Sequence, residues 1–296
     1  MSRSGFVALA GRPNVGKSTF VNAVVGEKVA IVSDRPQTTR RAIRGVHERD
    51  DVQLVLVDLP GVQRPRDALT ARMAQRVDAE LAGADATLLI VNAQQGIGAG
   101  DRFIARALGQ AGHPIAIAVN KVDRLDRNMV VAALTAASEL GLDAEIFPIS
   151  ARTGDGLPEL LAHLGTLVPE GPFMFGAGTS SDQSPEVLAA ELVREAAIRR
   201  TFQEVPHAVE AIVEELERID KGPATLVRIR ALLWVETPSQ KGILIGAGGS
   251  MIKAIGTAAR KELERAFGER VHLDLSVRVR RDWRADDGLL DRLGIG

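Results

Sequence analysis

The sequence predicts two domains, an α/β domain with a mostly parallel sheet and helices on both faces, then a smaller α+β domain. Three observations carry this. Over residues 1–170 short β-branched runs alternate with helix-length segments, the pattern of a sheet wound through crossover helices. Residues 171–185 turn to Gly, Pro, Ser and Thr (Gly171, Pro172, Gly176, Gly178, Ser180, Ser181, Ser184, Pro185), which reads as a linker. Residues 186–296 then read as a helix, two strands, a glycine-rich turn, a helix and a strand. A chain of 296 residues is long enough for two such domains.

In the first domain, buried strands are expected at 6–10, 53–57, 87–91, 115–119 and 145–149, short runs dominated by apolar and β-branched residues. Helices are expected between them at 17–25, 68–81, 101–110 and 130–140. Sheets of this kind bind ligands at the carboxyl ends of their strands, so functional residues should follow strands directly. In the second domain, Ser184-Pro185 is a start signal for a helix over 186–203. Strands follow at 209–216 and 225–236, then a helix at 250–267 and a strand at 271–279. No internal repeat or low-complexity tract is present.

Composition removes several function classes. The absence of cysteine excludes disulfides and thiolate-bound metal and fits a reducing compartment. Five scattered histidines (His47, His113, His163, His207, His272) lack metal spacing. The Met1-Ser2-Arg3-Ser4 start reads as no signal peptide. Apolar runs such as 86–91 fall far short of the roughly 20 residues that span a bilayer, so a soluble protein is expected. The net charge of −1 conceals an asymmetry: residues 221–285 hold thirteen Lys or Arg against six acids, a net of +7, leaving −8 elsewhere. A basic segment on an acidic chain suits a polyanion partner or is simply a solvated face.

Gly11-Arg12-Pro13-Asn14-Val15-Gly16-Lys17-Ser18-Thr19 follows the first strand and opens a helix. This G-x-x-x-x-G-K-S pattern, in that setting, is a phosphate-binding P-loop. Backbone N–H groups from Asn14 to Thr19 would wrap the phosphates, Lys17 would reach β- and γ-phosphate oxygens, and Ser18 would ligate Mg²⁺. Asp58-Leu59-Pro60-Gly61 ends the strand at 53–57; the acid would hold magnesium and the Gly61 N–H would sense the γ-phosphate. Asn120-Lys121-Val122-Asp123 and Ser150-Ala151-Arg152 end the next buried strands. The Asp123 carboxylate would accept two donors from guanine, while the Ala151 N–H would contact the guanine oxygen. Adenine presents the wrong pattern, so the expected ligands are GTP and GDP.

Within Gln37-Thr38-Thr39-Arg40, one threonine would complete the magnesium shell only when the γ-phosphate is present, making 30–44 a switch segment. Thr39 is preferred over Thr38. The predicted catalytic set is thus Lys17, Thr39, Asp58 and Gly61. Val62 stands where many GTPases keep a glutamine that orients water, so slow intrinsic turnover is expected. Asn14 has two readings: a turn residue, or a ligand for K⁺ that supplies positive charge beside the phosphates.

Taken together, G-R-P-N-V-G-K-S, Q-T-T-R, D-x-P-G, N-K-x-D and S-A-x resemble the TrmE–Era–EngA group of GTPases. The segment from Ser239 through Lys241, Gly246-Ala247-Gly248-Gly249 and Lys253 resembles a type II KH module. One GTPase domain (1–170), a linker (171–185) and one KH domain (186–296) match a single branch of that group. Further matches are Glu191-Leu192-Val193-Arg194-Glu195, Val205-Pro206-His207 and the end from Val277 to Gly294. The resemblance implies that Lys241, Gly246, Ala247, Gly248, Gly249 and Lys253 bind RNA, through a G-x-x-G loop that clamps single-stranded backbone. It implies as partners the 3′ end of small-subunit ribosomal RNA and the 30S subunit, a role in subunit assembly, a monomer, and cytoplasmic localisation. A signalling GTPase peripheral to the inner face of the cell membrane is the alternative. Three departures stand out: Ala247 and Gly248 where a basic residue is usual, Leu59 for threonine, and Arg152 for lysine.

Overall fold

In the computed structural model, residues 1–35, 37–62, 65–221 and 224–295 are described, and they divide into two compact units. The first contains β1 (Arg3–Ala10), α1 (Lys17–Val25), β2 (Ile43–Arg49), β3 (Val52–Asp58), α2 (Ala68–Ala82), β4 (Ala86–Asn92), α3 (Ala99–Leu108), β5 (Ile115–Asn120), α4 (Arg127–Ser138), β6 (Glu145–Ile149) and α5 (Leu157–Leu167). Its six strands lie in the order β2-β3-β1-β4-β5-β6, parallel except for β2, which runs antiparallel to β3. Every residue of β4 is buried, which explains the apolar run Leu88–Val91 at its centre. The sheet is covered on one side by a core that includes Phe20, Val21, Leu160 and Leu164, and on the other by one that includes Ile104, Leu108, Ala133 and Ala137.

Two elements of this unit were not expected. β2 forms the sheet edge and buries Ile43, Gly45 and Val46, but Arg44, His47 and Glu48 interrupt its apolar pattern. α5 opens with Gly156 and Leu157-Pro158, and proline in the first turn is pre-set for helical φ.

The glycine- and serine-rich stretch also departs from its sequence reading as a linker. Residues through Asp182 belong to the first unit, laid along its edge. Gln53, fully buried, accepts the Met174 and Phe175 N–H groups at 2.8 and 3.0 Å and donates to the Phe175 carbonyl at 2.9 Å. The Val46 N–H donates to the Ser180 carbonyl at 2.9 Å. Small residues here let the chain lie flat against β2 rather than swing freely.

The second unit holds α6 (Pro185–Ile198), α7 (Val205–Ala208), β7 (Glu210–Lys221), β8 (Ala224–Val235), α8 (Pro238–Ile245), α9 (Ser250–Phe267), β9 (Arg270–Val279) and α10 (Asp287–Arg292), together with residues Ile31–Thr38. The expected end at Gly296 lies outside the described residues. Its sheet runs β7-β8-β9, with β8 antiparallel to β7 and parallel to β9. β7 is longer than its apolar run predicts, because pairing with β8 carries the charged residues Glu217, Arg218 and Asp220 into the ladder. Ser184 caps α6 by accepting the Val187 N–H, and Thr237 and Gln240 form a reciprocal cap on α8; each such cap contributes about 1 kcal/mol. Trp283 is fully buried, its indole N–H donating to the Ala208 carbonyl at 3.1 Å. Among the described residues no single helix is long and apolar enough to cross a membrane.

Candidate nucleotide site and nucleic-acid groove

The loop between β1 and α1 brings the P-loop residues to the carboxyl end of the sheet's central strand. Gly16 sits at φ 108°, where a Cβ would strike Asn120 Nδ2 at 2.3 Å, so only glycine fits. α1 starts there without a side-chain cap, which leaves its first-turn N–H groups directed at the loop. Lys17 is buried, and its Nζ donates to the carbonyls of Gly11 and Arg12, both at 3.1 Å. Burial lowers its pKa to about 8, with the Asp58 carboxylate pulling the other way.

Three oxygen-bearing side chains from three separate segments meet beside Lys17. The Ser18 hydroxyl donates to Asp58 Oδ2 at 2.6 Å. Thr39 Oγ1 lies 3.1 Å from Ser18 Oγ and donates to Asp58 Oδ2 at 3.3 Å. Thr38 faces elsewhere, its hydroxyl donating to the Arg35 carbonyl at 2.6 Å. Two hydroxyls and a fully buried carboxylate form a hard-oxygen set suited to Mg²⁺. Gly61 approaches the loop closely, and the Val62 N–H donates to the Gly11 carbonyl at 3.3 Å.

The two base-reading motifs converge at the ends of β5 and β6. Asn120, buried, is the brace: Nδ2 donates to the Val15 carbonyl at 2.8 Å, and Oδ1 accepts the N–H groups of Lys121 (2.8 Å) and Ala151 (3.0 Å). The Ala151 N–H, expected to face a guanine oxygen, is thus engaged by Asn120. Lys121, in the left-handed region at φ 72°, donates from Nζ to the Asn14 carbonyl at 2.8 Å. Asp123 Oδ1 accepts the Ser150 hydroxyl at 2.7 Å, and Arg152 pairs with Oδ2. The Ser150 bond foremost, with Arg152 beside it, holds this carboxyl below the usual carboxylate range, so it is ionised at neutral pH.

One supporting residue escaped the sequence reading. Arg12, inside the P-loop motif, places Nε 2.8 Å from the buried Asp101 carboxylate, which also accepts the Gly98 N–H at the start of α3. An acid three residues after a glycine at a helix start was the available signal.

In the second unit, α8 ends at Gly246 and α9 begins after Gly249, with a single tight turn over Ala247–Gly249 between them. Gly246 (φ 72°, ψ 171°) would bring a Cβ within 2.8 Å of the Met251 N–H nitrogen. Beside the loop, α9 and β9 line a cleft of about 410 Å³ that includes Ile252, Lys253, Arg260, His272 and Leu275. Lys253 also borders a second hollow of about 450 Å³ with Arg200 and Lys261. Lys241 lies on α8 on the approach to the loop.

Comparison with known proteins places these two sites in one lineage. The model of the 50S ribosome-binding GTPase family matches residues 6–121, and that of the KH domain matches residues 204–284. The chain is 45% identical over 295 residues to the GTPase Era of Mycobacterium tuberculosis, covering 98% of each sequence. It is 44% identical over 297 residues to that of Mycolicibacterium smegmatis, covering 99% of this chain and 98% of the other. A crystal structure of Era in complex with MgGDPNP and nucleotides 1506–1542 of 16S ribosomal RNA superposes with a TM-score of 0.95 at 33% identity, covering 100% of both chains. A variant of Aquifex aeolicus Era bound to GDP·AlF4⁻ gives the same TM-score and identity over 99% of both.

Proposed function

The chain belongs to the Era family of GTPases, and on that basis we propose a GTP-gated RNA-binding factor that acts in the cytoplasm, as a monomer, on the 3′ end of small-subunit ribosomal RNA during assembly of the 30S subunit. The single observation that carries the switch is the meeting of Ser18, Thr39 and Asp58 within 3.3 Å, since Thr39 comes from a segment that no element of the sheet holds in place.

The reaction is hydrolysis of GTP to GDP and phosphate. Asp123 and Ser150 select guanine, and Asn120 and Lys121 tie that loop to the phosphate loop. Lys17 exchanges its two carbonyl partners for β- and γ-phosphate oxygens, and the uncapped start of α1 adds N–H donors at the same place. Ser18, Thr39 and Asp58 would hold Mg²⁺, which when bound neutralises charge developing on the phosphates. The Gly61 N–H meets the γ-phosphate. Val62 offers no group to orient water, so turnover is slow. Asn14 stands at φ 63°, and a K⁺ ion held by its side-chain oxygen would add positive charge beside the phosphates.

In the second unit, Gly246, Ala247, Gly248 and Gly249 would take single-stranded phosphate backbone, Lys241 and Lys253 would add charge attraction, and bases would enter the cleft between α9 and β9. A membrane-binding role for α9 is weakened by its own ion pairs, Arg265 with Glu262 at 2.7 Å and Arg260 with Glu264 at 4.0 Å. The test is a titration of the full chain, with Mg²⁺ and GDPNP or GDP, against a short RNA copying the small-subunit 3′ end and a scrambled control. Preference for the ribosomal sequence that strengthens with GDPNP supports the proposal. Equal weak binding to both, together with sedimentation on anionic liposomes, would replace it with the membrane reading.

A further inference from the structure

Arg12, the second residue of the phosphate loop, is seated on the start of α3. Its Nε lies 2.8 Å from Asp101 Oδ2, and its Nη2 donates to the Gly96 carbonyl at 3.3 Å. Asp101 is fully buried in the first turn of α3, and the same Oδ2 accepts the Gly98 N–H at 2.9 Å. Among the described residues Arg12 is the one cation within ion-pair distance of this carboxylate, whose Oδ1 has no hydrogen-bond partner.

Two features of this seat cost stability. A buried ion pair seldom improves on the neutral residues that could replace it, and a neutral amide would accept the Gly98 N–H as well. Gly100 lies within the first turn of α3, where glycine is less favourable than alanine. A Cβ there would come within 2.7 Å of Arg12 Cδ, so glycine is what lets the Arg12 stem lie against the helix.

The backbone of residues 11–13 is what the seat holds. The Gly11 carbonyl accepts the Val62 N–H at 3.3 Å. Gly61 lies so close to Pro13 that a Cβ on it would come within 2.7 Å of the Pro13 nitrogen and ring. Gly61 and Val62 thus rest on the two residues that flank Arg12, and neither segment belongs to a strand or helix. We infer that Arg12, anchored on Asp101, is a positioning residue for hydrolysis: it fixes Gly11 and Pro13, and these set where the Gly61 N–H meets the γ-phosphate. This rests on the reading of Gly61 as the γ-phosphate contact. Lys17, the N–H groups of residues 14–19 and the base-reading loops hold GDP without Gly61, so affinity for GDP is spared.

The experiment measures kcat and KM for GTP by phosphate release, and Kd for GDP and GDPNP by calorimetry, on the full chain with Mg²⁺. Arg12→Ala should lower kcat about tenfold, as a sub-ångström misplacement of a reacting group can, with GDP affinity unchanged. Arg12→Lys keeps the charge but loses the bond to Gly96, and should recover part of the loss. Asp101→Asn still accepts the Gly98 N–H; it should match Arg12→Ala, and the double variant should be no worse than either. Gly100→Ala favours the helix but displaces the Arg12 stem, so it should lower kcat about threefold without lowering the melting temperature. A seat that only stabilised the fold would give the reverse, a lower melting temperature with kcat intact, and that result overturns the inference. Equal losses of kcat and GDP affinity in Arg12→Ala overturn it too, because the whole loop would then have moved. Gly61→Ala tests the underlying reading and should weaken GDPNP relative to GDP. If that ratio holds, the reading of Gly61 has failed; if it falls while kcat is unchanged in the Arg12 and Gly100 variants, the positioning role alone is wrong. Should Arg12→Ala not fold, Gly100→Ala decides by the same outcomes.

Discussion

Asn120 Nδ2 donates to the carbonyl of Val15 at 2.8 Å, so one buried amide joins the end of β5 to the loop that begins α1. With the N–H groups of Lys121 and Ala151 on its oxygen, this side chain sets the spacing between base recognition and phosphate recognition. Asn120→Ala should cost about 2–4 kcal/mol of stability, because buried partners are left without a bond. It should also weaken GDP binding far more than that of inorganic pyrophosphate, which never spans the two loops. Thermal unfolding without nucleotide and calorimetric titration with each ligand check the two parts.

Asp123 is held ionised by Ser150 and Arg152, ready to accept two donors from a purine base. Asp123→Asn replaces one acceptor with a donor and should reduce GDP affinity by about 10⁴, the usual penalty when a site made for hydrogen bonding meets a mismatched group. Xanthosine diphosphate, whose 2-position carries a carbonyl, should recover much of the loss. Competition binding with the two nucleotides decides it.

Lys17 gives a pH signature. Burial lowers its folded pKa to about 8, from an ordinary lysine value of 10.5. Between these values the unfolded chain binds more protons than the folded one, so stability of the nucleotide-free protein rises with pH across that window, by about 3 kcal/mol in full. Nucleotide needs the charged amine, so affinity for GTP should fall about tenfold per unit above pH 8. Titrations from pH 7 to 10 should show that fall, and Lys17→Met should bind weakly with a flat profile.

Asn14 stands at φ 63°, a conformation that glycine also tolerates. Asn14→Gly therefore removes the side-chain oxygen without straining the loop. If K⁺ acts there, the wild type should turn over GTP about tenfold faster in K⁺ than in Na⁺, as expected for one added transition-state charge contact. The variant should lose that difference and keep its GDP affinity. Steady-state phosphate release in the two salts measures it.

Ala247 is the place to restore charge in the RNA loop. Gly246, Gly248 and Gly249 all have positive φ and resist substitution, whereas Ala247 does not. Ala247→Lys adds one phosphate contact and should tighten RNA binding severalfold at low salt, with a steeper dependence of affinity on salt concentration by roughly 0.7 for a single strand. Fluorescence anisotropy at several salt concentrations tests both.

The nucleotide motifs were legible in the sequence because each is a contiguous run whose residue types have few other uses: Gly16-Lys17-Ser18 after a buried strand, Asn120 to Asp123 after another. The same holds for β4 and β5, whose unbroken apolar runs leave no alternative to a buried strand, and for α9, read at its observed limits. β2 was not legible, because Arg44, Gly45, His47 and Glu48 break any apolar run or alternation over Ile43–Arg49, although Ile43 and Val46 are buried. α5 went unread between the last motif and the change in composition. The stretch through Asp182 read as a linker because small polar residues suit both a free chain and one laid flat; only Gln53 and β2, more than 100 residues away, settle which.

The sequence by itself determined the class of both units and the ligand of the first, since phosphate loops and base-reading loops are local chemistry carried by neighbours along the chain. The tertiary structure decided which threonine reaches Ser18 and Asp58, that Arg12 pairs with Asp101, and that Asn120 ties the end of β5 to the phosphate loop. Those relationships depend on atoms brought together from up to 105 residues apart, and a buried polar side chain reveals its partners only in the folded chain.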